Sequence, residues 1–423
     1  MTNTTLDRKS APPFVRSTSF ELIKPVKVAS PSGLQLQFVS GGSQDVVHIE
    51  LIFRAGKWFE SKWGVSHFTS NLLTKGTSTK NSYEIAQTFD QYGAHVETSS
   101  GADFVSISLY SLIKNLDKVL TLFHEVITTP TFPEKEIAQS KSIFLQNLKV
   151  NNEKTSFLAS KLIRKNIFGD NHPYGKELEE TDVRDIERED FINFHNQFFK
   201  QTQIIVSGKI DQAIQNKIVQ TFSAFHTGEI IKKNHLDSNK NLNQVYVEKK
   251  GSLQSSIRLG KKSIMRSHAD YVDLLFLNHI FGGYFGSRLM KNIREEKGLT
   301  YGIHSSLHSL KQDSYLVIGA DVNKENLPLA IQEIRNEIKK LGLEEIDVNE
   351  LETARYHFIG SLQSEITTPF AHAEKLKTIL LHDLNPQYYQ NMINRINIIT
   401  PDELRNIALK HFNEESFLEV AVG

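Results

Sequence analysis

Residues 281–301 read FGGYFGSRLMKNIREEKGLTY. The glycines at 282, 283 and 286 disfavour a helix interior, because glycine loses the most backbone freedom on ordering. From Ser287 to Lys297 the apolar residues Leu289, Met290 and Ile293 fall on one helical face, and Gly298 stands where a helix would stop. The spacing therefore predicts a glycine-rich loop that feeds a short helix. Arg294 lies in the last turn and Tyr301 at the start of an extended segment beyond the break, so a guanidinium and a phenol can converge from a helix end and a strand start. On residue type alone the plainer reading of both is structural, Arg294 as a solvated helix residue and Tyr301 as a core aromatic.

Within this stretch S-R-L, I-R-E and G-L-x-Y follow one another in order. That wording resembles the C-terminal-domain signature of the M16 family (pitrilysin, insulinase and mitochondrial processing peptidase). The resemblance implies that Arg294 and Tyr301 are the pair that helps hold and polarise substrate near a zinc site.

The family's N-terminal domain carries H-x-x-E-H, two zinc-binding histidines on one helical face with a glutamate as general base. The matching stretch is GVSHFTSNLLTKGT, residues 64–77, where His67 holds the first ligand position, Ser70 that of the base and Asn71 the second ligand position. The third ligand, a glutamate in the family, falls on Asn147, 76 positions on from Asn71. Asparagine is a poor zinc ligand beside imidazole or carboxylate, and a serine hydroxyl accepts no proton near neutral pH. His67 alone cannot make a zinc site, so zinc hydrolysis by this domain is not expected.

Outward from the two motifs, the chain alternates strands and helices. Extended segments are expected at 34–39 and 46–53, the second apolar enough for a central strand. A helix follows from Val65 to the Lys75-Gly76 break, and another is capped by Ser82 and closed at Gly93. Strands at 95–100 and 104–110 precede helices at 115–126, 134–150 and 157–166. The segment ADFVSISL at 102–109 resembles the family's edge strand. A helix at 190–199 runs into a strand at 203–206, and the same unit recurs at 401–412 and 417–422. Ile186 matches Ile399 and Phe199 matches Phe412 at an offset of 213, and the helices around Ile137 and Leu351 match at 214. Constant register over distant segments indicates duplication.

With 423 residues, the chain suits two domains of about 200 residues each. The family resemblance implies an α+β, LuxS/MPP-like plan: two similar domains, each a mixed, mostly antiparallel sheet covered by helices, facing each other as a clamshell. Its divisions are an N-terminal arm over the surface at 1–25, a first domain at 26–225, a polar linker at 226–244 and a second domain at 245–423.

Lys+Arg and Asp+Glu balance at 49 each, which excludes a whole-chain basic field for nucleic acid. The absence of cysteine excludes disulfides, thiolate nucleophiles and Cys-ligated zinc. No apolar run in the first residues suggests a signal peptide and none elsewhere a membrane span, so a cytoplasmic location is the simplest expectation.

Three further candidates carry little. His304 and His308 have ligand-like spacing, but on a strand they stand about 13 Å apart. The glycines at 282, 283 and 286 miss the nucleotide-binding register. His172, in GDNHPYG at 169–175, reads as part of a structural turn.

Taken with the resemblance, these readings imply a non-catalytic subunit of a heterodimeric M16 peptidase. Its partner would carry an intact H-x-x-E-H and the zinc, and its substrates would be peptides or unfolded segments. The alternative is a pseudopeptidase, homodimeric or in a larger complex, that binds peptide or serves as a structural core.

Overall fold

The computed structural model describes residues 18–200, 202–225 and 244–423. The polar linker at 226–244, save its last residue Gln244, and most of the N-terminal arm therefore lie outside the described residues. The strands are β1 (Val26–Ala29), β2 (Gln35–Ser40), β3 (Val46–Phe53), β4 (His95–Ser100), β5 (Val105–Leu112) and β6 (Thr202–Gly208) in the first half. In the second half they are β7 (Val245–Val247), β8 (Gln254–Lys262), β9 (Thr300–Ser309), β10 (Ser314–Asn323) and β11 (Leu418–Val422).

The first sheet runs β1-β2-β6-β3-β5-β4 and the second β7-β11-β8-β10-β9. From β2 onward the two orders superpose strand for strand. Both have a single parallel pair, β2 with β6 and β7 with β11, and antiparallel pairs elsewhere. The duplication expected from the register is thus a duplication of topology.

The helices of the first half are α1 (Val65–Leu72), α2 (Ser82–Gln91), α3 (Leu116–Thr128), α4 (Glu134–Asn152), α5 (Thr155–Phe168), α6 (Glu180–Asp185), α7 (Arg188–Phe198) and α8 (Gln212–Thr221). Those of the second are α9 (Tyr271–Asn278), α10 (Leu327–Leu343), α11 (Val348–Ser364), α12 (Pro369–Leu381), α13 (Tyr388–Ile398) and α14 (Pro401–His411). Ile186 and Ile399 end α6 and α13, and Phe199 and Phe412 end α7 and α14, all four buried. No helix among the described residues is long and apolar enough to cross a membrane.

Strand β3 shows why these runs are so apolar. Its odd positions Val47, Ile49, Leu51 and Phe53 enter the core of the first domain. Its even positions face a helix of the other domain: Ile52 packs with Ala373 and Leu376 of α12, and Glu50 accepts from Lys377 Nζ at 3.1 Å. The second domain mirrors this. Ile257 and Leu259 of β8 enter its own core, while Ser256 and Arg258 bond Thr155 and Ser160 of α5 at 2.9 and 3.1 Å. Gly260 is pressed so closely that a Cβ would stand 2.9 Å from Ile163 of α5. Each domain therefore lends one helix, α5 or α12, to the outer face of the other's sheet. The turn at 169–175 joins this interface: the Tyr174 hydroxyl donates to Asp103 at 2.7 Å and accepts from the Gln312 N–H at 3.0 Å.

Three expectations are corrected. The described end of the arm is not a surface cover, because Phe20 is buried in the second domain's core, tilted against Tyr389 at 5.3 Å. The cap of α2 is Asn81, which forms a capping box with Glu84, and Ser82 is the first helical residue. The strand beginning at Val105 is paired on both sides, by β3 and β4, so the sheet edge is β4 instead.

Candidate functional site

Helix α1 begins at Gly64, whose φ of +97° is a left-handed value that glycine adopts without strain. The amides of Gly64 and Ser66 donate to the Glu60 carboxylate at 3.0 and 2.9 Å, which anchors the start of the helix. Burial pushes the Glu60 carboxyl up to about 7 against these bonds.

His67 and Asn71 lie one turn apart on the same face. The Asn71 amide oxygen accepts from the Thr98 hydroxyl of β4 at 3.2 Å, which leaves its Nδ2 facing His67 Nε2 at 3.1 Å. The amide thus donates to the ring nitrogen, whose lone pair a metal would need. Burial, then Lys57, lowers the His67 pKa and keeps the imidazole neutral.

Ser70 is fully buried, and its hydroxyl donates to the His67 carbonyl at 2.9 Å. On α4 the residue that meets His67 is Phe144, ring to ring at 5.3 Å. Asn147 is one turn further on and exposed. The structure therefore joins His67 to Asn71, turns Ser70 into the packing and leaves Asn147 exposed. One imidazole and neutral amides, with no carboxylate, do not fit zinc. No group of three or more His, Asp or Glu side chains among the described residues is arranged to hold a metal ion.

In the second domain the loop and helix follow the expected order with wider turns. Segments of π-helix occupy His279–Gly283 and Met290–Glu296, with Leu289, Met290 and Ile293 buried and Gly298 closing the end at φ +62°. Arg294, in the last turn, lays its guanidinium over the Phe285 ring at 4.5 Å, and Phe285 is itself 62% exposed. Such a contact is worth roughly 0.5–1 kcal/mol at an exposed site and fixes the plane of the fork.

Tyr301 is 93% exposed and so is no core aromatic. It stands at a bulge in β9: Ile303 pairs with Ala320 and Thr300 with Val322, so Tyr301 and Gly302 together oppose Asp321. The Thr300 hydroxyl closes the bulge by donating to the Asp321 carbonyl at 2.7 Å.

His304 and His308 lie on β9 as expected, paired with different residues, Gly319 and Tyr315. His172 is buried and accepts from the Tyr174 N–H at 3.1 Å, in keeping with a structural turn. Phe144, Thr98, Glu60 and Phe285 were not singled out from the sequence. Only Phe285, beside the glycines of a motif already noted, carried a usable signal.

Two family models match the chain: insulinase (peptidase family M16) over residues 39–182, and the peptidase M16 inactive domain over residues 185–356. An uncharacterized zinc protease of Bacillus subtilis, YmxG, is 24% identical over 358 residues, covering 83% of this chain and 86% of its own length. A Helicobacter pylori protein described as a non-peptidase homolog is 20% identical over 376 residues, 86% of this chain and 85% of its own. Among solved structures, a peptidase M16 inactive domain from Pseudomonas fluorescens superposes with a TM-score of 0.85 at 23% identity. It covers 94% of this chain and 98% of its own.

Proposed function

The chain belongs to the M16 peptidase family, and from that premise we propose that it is a non-catalytic subunit whose second domain completes the zinc site of a separate M16 chain. The observation that carries this reading is a contrast within one molecule. The zinc-motif positions hold an amide-paired imidazole, a buried hydroxyl and exposed Asn147, while Tyr301 and the Arg294–Phe285 stack stand on the surface. Among the described residues no packing contact buries Tyr301, which is 93% exposed, whereas a partner's active site has a use for it.

In that site the partner's zinc would supply the activated water. Tyr301 would donate its phenolic hydrogen to the oxygen of the scissile carbonyl as charge develops there, and Arg294 would orient the peptide backbone. One such donor is worth roughly 10² to 10³ in rate. Substrates would be extended peptides or unfolded segments, which can add as a strand to a sheet edge.

The test is to mix the purified chain with an M16 subunit that has an intact H-x-x-E-H and to measure peptide hydrolysis. Tyr301→Phe should lower kcat by about 10² while leaving association and the partner's zinc unchanged. Arg294→Ala should lower kcat/KM. Full activity for both variants in a verified complex would defeat the proposal. It would favour the second reading, a peptide-binding or structural pseudopeptidase, to which the printed name of the Helicobacter relative lends support.

A further inference from the structure

We infer that His279 and His357 form a binding site for a borderline divalent transition ion, such as Zn²⁺, Ni²⁺ or Cu²⁺, on the second domain. His279 opens the π-turn after α9, and His357 projects from the middle of α11. Their ring nitrogens, Nε2 of His279 and Nδ1 of His357, face each other at 3.1 Å. At metal–nitrogen distances of about 2.0–2.1 Å, nitrogens so spaced subtend roughly 100° at a common ion, within the range of tetrahedral and octahedral coordination. The pair serves as a hydrogen bond without metal and as two ligands with it.

Three features show a built arrangement. Tyr284 stacks on His279 at 4.6 Å and lies tilted against His357 at 4.7 Å, so one ring touches both imidazoles. Phe358 meets the His279 ring edge-on at 5.1 Å. Gly283 leaves room for the imidazole, because a Cβ there would stand 3.1 Å from His279 Nδ1.

The place in the fold is informative. At the 214-residue offset, Phe358 corresponds to Phe144, Ser361 to Asn147 and His357 to Ile143. At an offset of 207, Asn278 corresponds to Asn71 and Ser305 to Thr98, and the Asn–hydroxyl bond recurs, Ser305 Oγ donating to Asn278 Oδ1 at 2.5 Å. The histidine pair thus occupies the helix pair equivalent to the one whose zinc motif is degenerate. Two imidazoles are fewer ligands than a closed structural site has, so water completes the shell, and the ion is held at an accessible position of moderate affinity.

The test uses the full chain without a polyhistidine tag and titrates Ni²⁺ by calorimetry. One equivalent should bind. His357→Ala, at an exposed position, should weaken binding at least about tenfold, the cost already typical of losing an outer-shell partner. His67→Ala should leave it unchanged. With Cu²⁺, electron paramagnetic resonance should show two coordinating nitrogens, and one in His357→Ala. No binding by the wild-type chain, or binding that His357→Ala leaves intact, would overturn the inference. Neither outcome bears on the Arg294 and Tyr301 reading, since no partner is present.

Discussion

At the first ligand position of the old zinc motif, His67 is engaged by a single amide, and that bond determines what repair requires. Asn71→His with Asn147→Glu should restore donors on α1 and α4, giving measurable zinc binding by metal analysis after dialysis. Adding Ser70→Glu should then lower stability by about 3 kcal/mol in urea unfolding, because a carboxylate would enter a fully buried position that now holds a small hydroxyl. Zinc binding no better than in wild type, with the fold intact, would mean that Asn147 is not the lost third ligand. The two-residue replacement at Ser70 and Asn71 is what the family resemblance implies. That Ser70 is turned into the packing was not legible in the sequence, since nothing in a serine's identity tells which side of a helix its neighbours will close.

Elements were read well where one face alone meets a core. β5 with Val105, Ile107 and Leu109 buried, and α3 with its apolar stripe, match their periodicity. The reading failed where local chemistry offered two solutions, as at Asn81 and Ser82, both able to cap α2; the Glu84 carboxylate decides it by reaching back to the Asn81 amide at 2.9 Å. The bulge at Tyr301 left only Gly302 as a trace. The destination of α5 was also hidden, since its sequence shows that it buries apolar residues and not against which sheet. Its contact with β8 is close enough to test. Gly260→Ala should cost about 1–3 kcal/mol by pushing a methyl into Ile163. Ile163→Ala, which removes the Cγ1 atom that stands nearest, should recover part of the loss in a double-mutant cycle, whereas strict additivity would show that Gly260 is not pressed by Ile163.

Across the whole molecule the domains are tied by buried groups that prefer one charge state. His48 of β3 stacks on Tyr110 at 4.2 Å and meets Phe370 of α12 edge-on. Burial and then Lys377 lower its pKa to about 4, and burial likewise lowers His382 to about 4. A histidine whose folded pKa lies below its unfolded value of 6.5 favours the fold while neutral. That contribution is complete above about pH 6.5 and is lost as pH falls through about 4. Tm should therefore decline between these limits, and His48→Gln should flatten the slope even if it lowers Tm throughout. An unchanged slope would remove His48 from the account.

The exchange of α5 and α12 also bears on how such a chain came to exist. A lone domain of this plan would leave the outer face of its sheet bare, and a second copy could cover it only by lending the same helix back across a two-fold axis. An isologous homodimer of one such domain would meet that need, and joining its two partners in one chain would give the exchange seen here. Expressed alone, residues 18–225 should accordingly sediment as a dimer, with α5 of each copy on the β3 face of the other; a well-folded monomer would refute this descent. A gene fusion that preserves an existing embrace frees each half to change while the other keeps the fold, and the two halves of this chain have since diverged in what they display at equivalent places.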